Sequence, residues 1–312
     1  LALITKYGSL WGAIPQTSGR VFWVAPSASY TVEGRSYSAS DSNDGLSPER
    51  ALLTLGRALD LVAADVSDVI VLLPGTHTLA AQENIDVAGI TITGLPGGKG
   101  HPSRQRAALT SSAADEVISI GAARVELAYL HLIAVTQQAA VELLNAGDYA
   151  YIHDCSFDMF TAAAHTSTMG IMSSGSSGGV TNLRVENCYF ETLGAQGPYL
   201  KLDEVVSSII EDCTFRHRGS TALADGIVAT TGAVDIVVRN SQFIAGTSAV
   251  ITDVVDWTGN TTDGSLQLAN VTLSLGGQLN ASADADILVD QNVRVLVAAD
   301  GASLPVNHIN AA

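Results

Sequence analysis

Four times in this chain the same six-residue phrase recurs: "IHDCSF" at 152–157, "VENCYF" at 185–190, "IEDCTF" at 210–215 and "VRNSQF" at 238–243. Each reads aliphatic, any residue, Asn or Asp, Cys or Ser, any residue, Phe. Looser copies stand at 127–132 ("LAYLHL") and 268–273 ("LANVTL"). Counted at the fourth slot, from Leu130 through Cys155, Cys188, Cys213 and Ser241 to Val271, the steps are 25, 33, 25, 28 and 30 residues. A phrase that returns at this interval marks a chain built by stacking one structural unit on the next.

The unit is made of strands. Between copies lie further short β-like stretches, "AAVELL" at 139–144, "MGIMSS" at 169–174, "YLKLDEVV" at 199–206, "DGIVAT" at 225–230 and "AVITDVV" at 249–255. Gly, Ser, Thr, Asn and Asp separate them, as turn chemistry requires. Helical periodicity is largely absent after residue 65, which excludes a helical repeat. In a parallel β-helix, successive coils stack about 4.8 Å apart, so each slot lies over its counterpart in the next coil. The aliphatic slot and the Phe slot then form inward stacks. The Asn or Asp suits a bend, because it tolerates left-handed backbone and can bond its own main chain. The cysteines all fall in one slot, Cys155, Cys188 and Cys213. A disulfide or metal pair is one reading, but no His or Cys stands nearby at ligand spacing, and a small buried hydrophobe fits better. A sandwich with coincidental similarity is the competing fold.

The front of the chain differs. At 47–62 Ser47 stands as N-cap, Pro48 at the first helical position and Glu49 in the first turn. Leu52, Leu55, Leu59 and Val62 follow as one apolar stripe. A solenoid needs its end coil covered, so the spacing predicts an amphipathic helix as cap. The expected organisation is an N-terminal arm with entry strands over 1–40, a capping turn and helix over 41–68, a parallel β-helix over 69–297 and a tail over 298–312.

The run "SNDGLSPERALLTLGRAL", then "VIVLLPGTHTL" and the "NCxF"-like coils, resembles the right-handed parallel β-helix proteins of the pectate-lyase-like superfamily, which includes phage tailspikes. The whole chain, with its opening "LALITKYGSLWGAIPQTSGRVFWVAP", resembles the tailspike-like trimers that marine tailed phages carry to stabilise their capsids. That resemblance implies an all-β right-handed solenoid with an N-terminal α-helical cap and an extended arm. It also implies a structural virion protein: a homotrimer on the outer capsid surface, with the major capsid protein as partner, no enzymatic activity and no cofactor. The alternative is a β-helix that binds or degrades polysaccharide, as lyase or glycosidase.

Charge narrows the partners. At a formal net charge of −16 the chain is a poor ligand for nucleic acid or an anionic membrane, which need clustered cations. No apolar run approaches the length of a membrane span, and residues 1–15 do not read as a signal peptide. For docking, the arm offers Lys6, Tyr7, Trp11 and Arg20, with Phe22 and Trp23 beside them; aromatic and Arg side chains are favoured interface anchors. The densest basic cluster, "GGKGHPSRQR" at 97–106, adds Lys99, Arg104 and Arg106.

For chemistry, a glycosidase needs two facing carboxyls. Asp203 and Glu204 are adjacent and would point to opposite faces of a strand. Asp253 and Asp256 flank "VV" beside Trp257, a potential sugar platform, and form the best enzymatic candidate; Asp225 and Asp158 are further carboxylates. Arg216, His217 and Arg218 read as a charged turn. His153 and His165 have no partner at metal-ligand spacing, and no metal site or catalytic residue is assigned.

Overall fold

The computed structural model describes residues 17–96, 107–112, 116–134, 139–159, 168–173, 179–192, 197–219, 223–245, 251–257, 260, 264–273, 278–281, 285–289 and 292–295. Over these the chain winds as a parallel β-helix. From Val69 onward a turn typically lays one strand in each of three sheets, and the strands of each sheet pair in parallel with their counterparts in the neighbouring turns. One turn, for example, contributes Tyr151–His153 to the first sheet, Ser156–Met159 to the second and Met169–Ser173 to the third.

The repeated phrase is the corner between the first two sheets. Its aliphatic slot is a continuous parallel column, Leu127, Ile152, Val185, Ile210, Val238 and Leu268, and all six are fully buried. Its third slot makes the turn: Asp154, Asn187, Asp212, Asn240 and Asn270 have φ between 49° and 54°, and Tyr129 in the looser copy has φ 55°. This is left-handed backbone, where Asn and Asp are the least penalised residues after Gly. Neighbouring bends also bond each other, Asn187 Nδ2 donating to Asp154 Oδ1 (2.6 Å) and Asn270 Nδ2 to Asn240 Oδ1 (2.9 Å).

Past the bend, Cys155, Cys188, Cys213 and Ser241 are buried. The cysteines are free thiols, each within reach of a carbonyl two residues back. The last slot stacks Phe157, Phe190, Phe215 and Phe243, with ring centroids 4.4, 4.9 and 4.5 Å apart and planes within 18° of parallel. Each ring is fully buried. A side chain of that size is worth several kcal/mol when withdrawn from water, so the stack is a main support of the solenoid.

The entrance departs from expectation. There is no α-helical cap. Pro48–Arg50 forms one 3₁₀ turn and Leu55–Leu59 a five-residue helix, capped by Thr54 rather than Ser47, with Thr54 Oγ1 accepting from the Arg57 N–H. Between them Leu52 runs beside the first strand: its N–H donates to Trp23 O (2.8 Å) and its carbonyl accepts from Ala25 N–H (2.9 Å). The open edge of that strand captures the backbone that a helix would have needed, and tertiary pairing outweighs local propensity. The apolar stripe survives, since Leu52, Leu55, Leu59 and Val62 all enter the main core. Val21–Val24 is a strand of the first sheet, paired in parallel with Val69–Leu72, and Phe22 and Trp23 are buried. A separate antiparallel hairpin, Ser29–Val32 with Arg35–Ser38, follows it before the coils proper.

Candidate active site

The third sheet carries its polar face outward. By strand register one column runs Asn84, Ser119, Glu142, Met172, Lys201, Val228 and Asp256, of which Ser119, Met172 and Val228 are buried and the other four partly or fully exposed. At one end of this face Asp225 of strand Leu223–Val228 lies directly opposite Asp253 of strand Ile251–Trp257. Asp253 and Asp256 share the face although three residues apart, because Val254 and Val255 between them are both fully buried. Two successive inward residues break the strict alternation of a strand, and the ladder shifts register at this point.

Behind the carboxylates the core sets the backbone. A Cβ on Gly226 would meet Val254 O at 2.6 Å and Phe243 Cε1 at 3.2 Å, so the residue after Asp225 must stay bare beneath the Phe stack. Asp225, Asp253 and Asp256 are each partly exposed. Burial, then the charges of Asp256 and Asp253, raise the Asp225 carboxyl to about 6. Like charges held on one face cannot all ionise at once without cost, so Asp225 keeps its proton into the mildly acidic range. A carboxyl that holds its proton beside a second carboxyl is the arrangement from which an acid and a nucleophile can be drawn.

Lys201 is the one cationic residue in the described strands of this sheet, and its Nζ lies 3.0 Å from Asp203 Oδ2. Asp203 is 4% exposed and also accepts from the N–H and hydroxyl of Thr230, both at 2.7 Å; it braces a turn. Glu204, with φ 55°, shapes the same turn. Farther along the face, Gln82 Nε2 donates to Glu116 (3.1 Å) and Glu142 (3.3 Å). Burial and the charge of Glu116 hold the Glu142 carboxyl above its ordinary range.

Trp257 is fully buried, so it is core and no platform for sugar. Asp158 lies on the second sheet, 2.7 Å from His131 Nε2. Arg216 and His217 lie in strand Thr214–His217 of that sheet rather than in a turn. Arg216 donates to Tyr189 Oη (3.3 Å), Arg218 to Glu191 (2.9 Å), and His217 points into the core at 1% exposure. Arg20 is engaged within the chain: its guanidinium reaches Asp68 (3.0 Å) and the Leu61 carbonyl (2.7 Å) and covers the Phe22 ring at 4.9 Å. Lys6, Tyr7, Trp11, Lys99, Arg104, Arg106 and His165 lie outside the described residues.

Sequence reasoning missed a second polar cluster, on the first sheet. His153 lies between Glu126 Oε1 and Asp154 Oδ2, both at 2.8 Å, and stacks on Tyr151 at 4.3 Å. Burial alone would lower its pKa, but the bonds to Asp154 and Glu126 raise it to about 9. Glu126 comes from the previous coil, 27 residues earlier. The signal was in the register of the repeat: His153 follows the aliphatic slot, as Ala128 does one coil before.

No family model and no curated protein matches the chain. Solved structures do. The pectin methylesterase of Aspergillus niger superposes with a TM-score of 0.59 at 16% identity, covering 90% of this chain and 87% of that one. Pectin methylesterase PemA of Erwinia chrysanthemi gives 0.56 at 13%, covering 91% and 94%. A pectate lyase gives 0.52 at 14%, covering 93% and 79%. These neighbours are right-handed parallel β-helix proteins that modify polysaccharide. The expectation of a capsid-decorating phage protein without enzymatic activity is thereby overturned: no virion protein stands among the neighbours described, and the capsid reading had rested on overall likeness rather than on a chemical motif. At this identity the likeness shows the shared fold, and the chemistry rests on the chain's own residues.

Proposed function

We propose that this chain is a polysaccharide-modifying hydrolase whose reaction centre is the Asp225–Asp253–Asp256 face of the third sheet. The observation that carries the reading is the placement of Asp225 directly opposite Asp253 on the paired strand, with Asp256 on the same face; burial and these charges raise the Asp225 carboxyl to about 6. Its fold likeness to pectin methylesterases and a pectate lyase supports the substrate class.

Asp225 and Asp253 project from opposed positions on paired strands, the nearest cross-strand placement a parallel ladder allows, and close carboxyl pairs are those in which one member attacks directly. Asp253 is the attacking carboxylate: its oxygen bonds to the substrate carbon as the bond to the departing oxygen breaks, and Asp225 gives that oxygen its proton. A water then cleaves the ester formed with Asp253, and Asp225 takes back a proton from that water. Asp256 keeps the Asp225 pKa high.

The test is turnover of a panel of neutral, esterified and acidic polysaccharides by the purified chain. Asp225→Asn and Asp253→Asn should each lower kcat at least 100-fold with the fold retained, and Asp256→Asn should lower it less and move the alkaline limb of the pH profile downward, because Asp225 then gives up its proton at lower pH. Turnover that survives Asp253→Asn would overturn the assignment.

A further inference from the structure

The charge on the third-sheet face also decides what kind of glycan can lie along it. The column from Asn84 to Asp256 crosses seven coils, a length of roughly 29 Å at the usual strand spacing, enough for several sugar units. Carboxylates stand at both ends, Glu116 and Glu142 at one and Asp225, Asp253 and Asp256 at the other. Between them lie Met172, Lys201 and Val228. The single cation of this sheet's described strands, Lys201, is already held by Asp203 at 3.0 Å. At the adjoining sheet, Arg216 donates to Tyr189 and Arg218, just past the strand, pairs with Glu191. The whole chain carries −16. A polymer with a free carboxylate on every residue would meet carboxylates at both ends of the column and, among the described residues of this sheet, one cation that is already paired.

Resting on the hydrolase reading above, we infer that this face accepts an uncharged glycan, one without free carboxylates, and excludes polyuronates by charge. In the middle of the column Met172 and Val228 are buried, and the stem of the partly exposed Lys201 is the apolar surface offered there to a neutral sugar.

The experiment is affinity electrophoresis of the full chain through gels containing galactan, xylan, β-glucan or polygalacturonate, with EDTA present so that no divalent cation bridges carboxylates. Runs at about 10 mM and about 150 mM salt contrast weak with strong screening. At least one neutral glycan should retard the chain equally at both salts. Polygalacturonate should retard it at least tenfold less at low salt, and the difference should narrow at high salt. The double variant Glu142→Gln, Asp256→Asn should narrow it at low salt too. Tighter binding of polygalacturonate than of every neutral glycan at low salt overturns the inference, as does no retardation by any neutral glycan. The hydrolase reading fails separately, if Asp225→Asn and Asp253→Asn leave turnover unchanged whichever glycan is preferred.

Discussion

Phe190 lies flat against Phe215, ring centroids 4.9 Å apart and planes 18° apart, although 25 residues of chain separate them. The contact exists because one full turn of the coil returns the chain to the same slot, and the same relation joins Phe157 to Phe190 and Phe215 to Phe243. Phe215 therefore has an aromatic ring above and below it. Phe215→Ala should cost about 3–5 kcal/mol in urea unfolding, the range for deleting a buried ring, and Phe215→Leu distinctly less. A loss below about 1 kcal/mol would mean that the stack is not part of the core.

Asp225 should link stability to pH in a defined direction. Its folded pKa, about 6, lies above its unfolded value, so the folded state gains most relative to the unfolded state below the unfolded pKa of about 3.9, and loses that gain as pH rises through about 6. Asp225→Asn removes the charge that burial and its neighbours penalise. The variant should melt higher than the wild type above pH 6 and match it near pH 4, read by thermal unfolding across that range.

His153 should act in the opposite part of the pH scale. Its folded pKa, about 9, is raised above the unfolded 6.5, so its contribution is complete below about 6.5 and disappears as pH rises through about 9. Glu126 and Asp154 are held low, each chiefly by its hydrogen bond to His153. Their contribution is present above the ordinary carboxylate range and fades as pH falls into and below it. The imidazole resonances of His153 should titrate near 9, and His153→Gln should flatten the alkaline fall in stability. A His153 titration at or below 6.5 would show that the clamp does not form.

The three thiols should be silent in the native protein. Cys155, Cys188 and Cys213 are buried, and burial first, then the neighbouring thiols, pushes Cys188 well above its usual pKa. A thiol that is neither exposed nor ionised is a poor nucleophile. A chromogenic disulfide reagent should label none of the three without denaturant and all three in it. Rapid labelling of the folded chain would place the slot at the surface.

The sequence alone determined the solenoid, because a parallel stack demands that like residues meet like residues at a regular interval. The aliphatic, Asn/Asp, Cys and Phe slots state that demand directly, and Asp154, Asn187 and Phe190 stand where the phrase puts them. It also singled out Asp253 and Asp256. What it could not show was which residues of neighbouring coils face each other across the third sheet, where loop lengths vary and no phrase repeats. The opposition of Asp225 and Asp253, the burial of Trp257, and the clamp that Glu126 forms with His153 are products of coil register. The failed helix at 47–62 has the same origin. Its stripe was real, but the open edge of Val21–Val24 offered Leu52 backbone partners that local propensity could not outbid. Patterns along the chain report which face of an element is buried; only the tertiary structure decides which strand covers it and which charges that brings together.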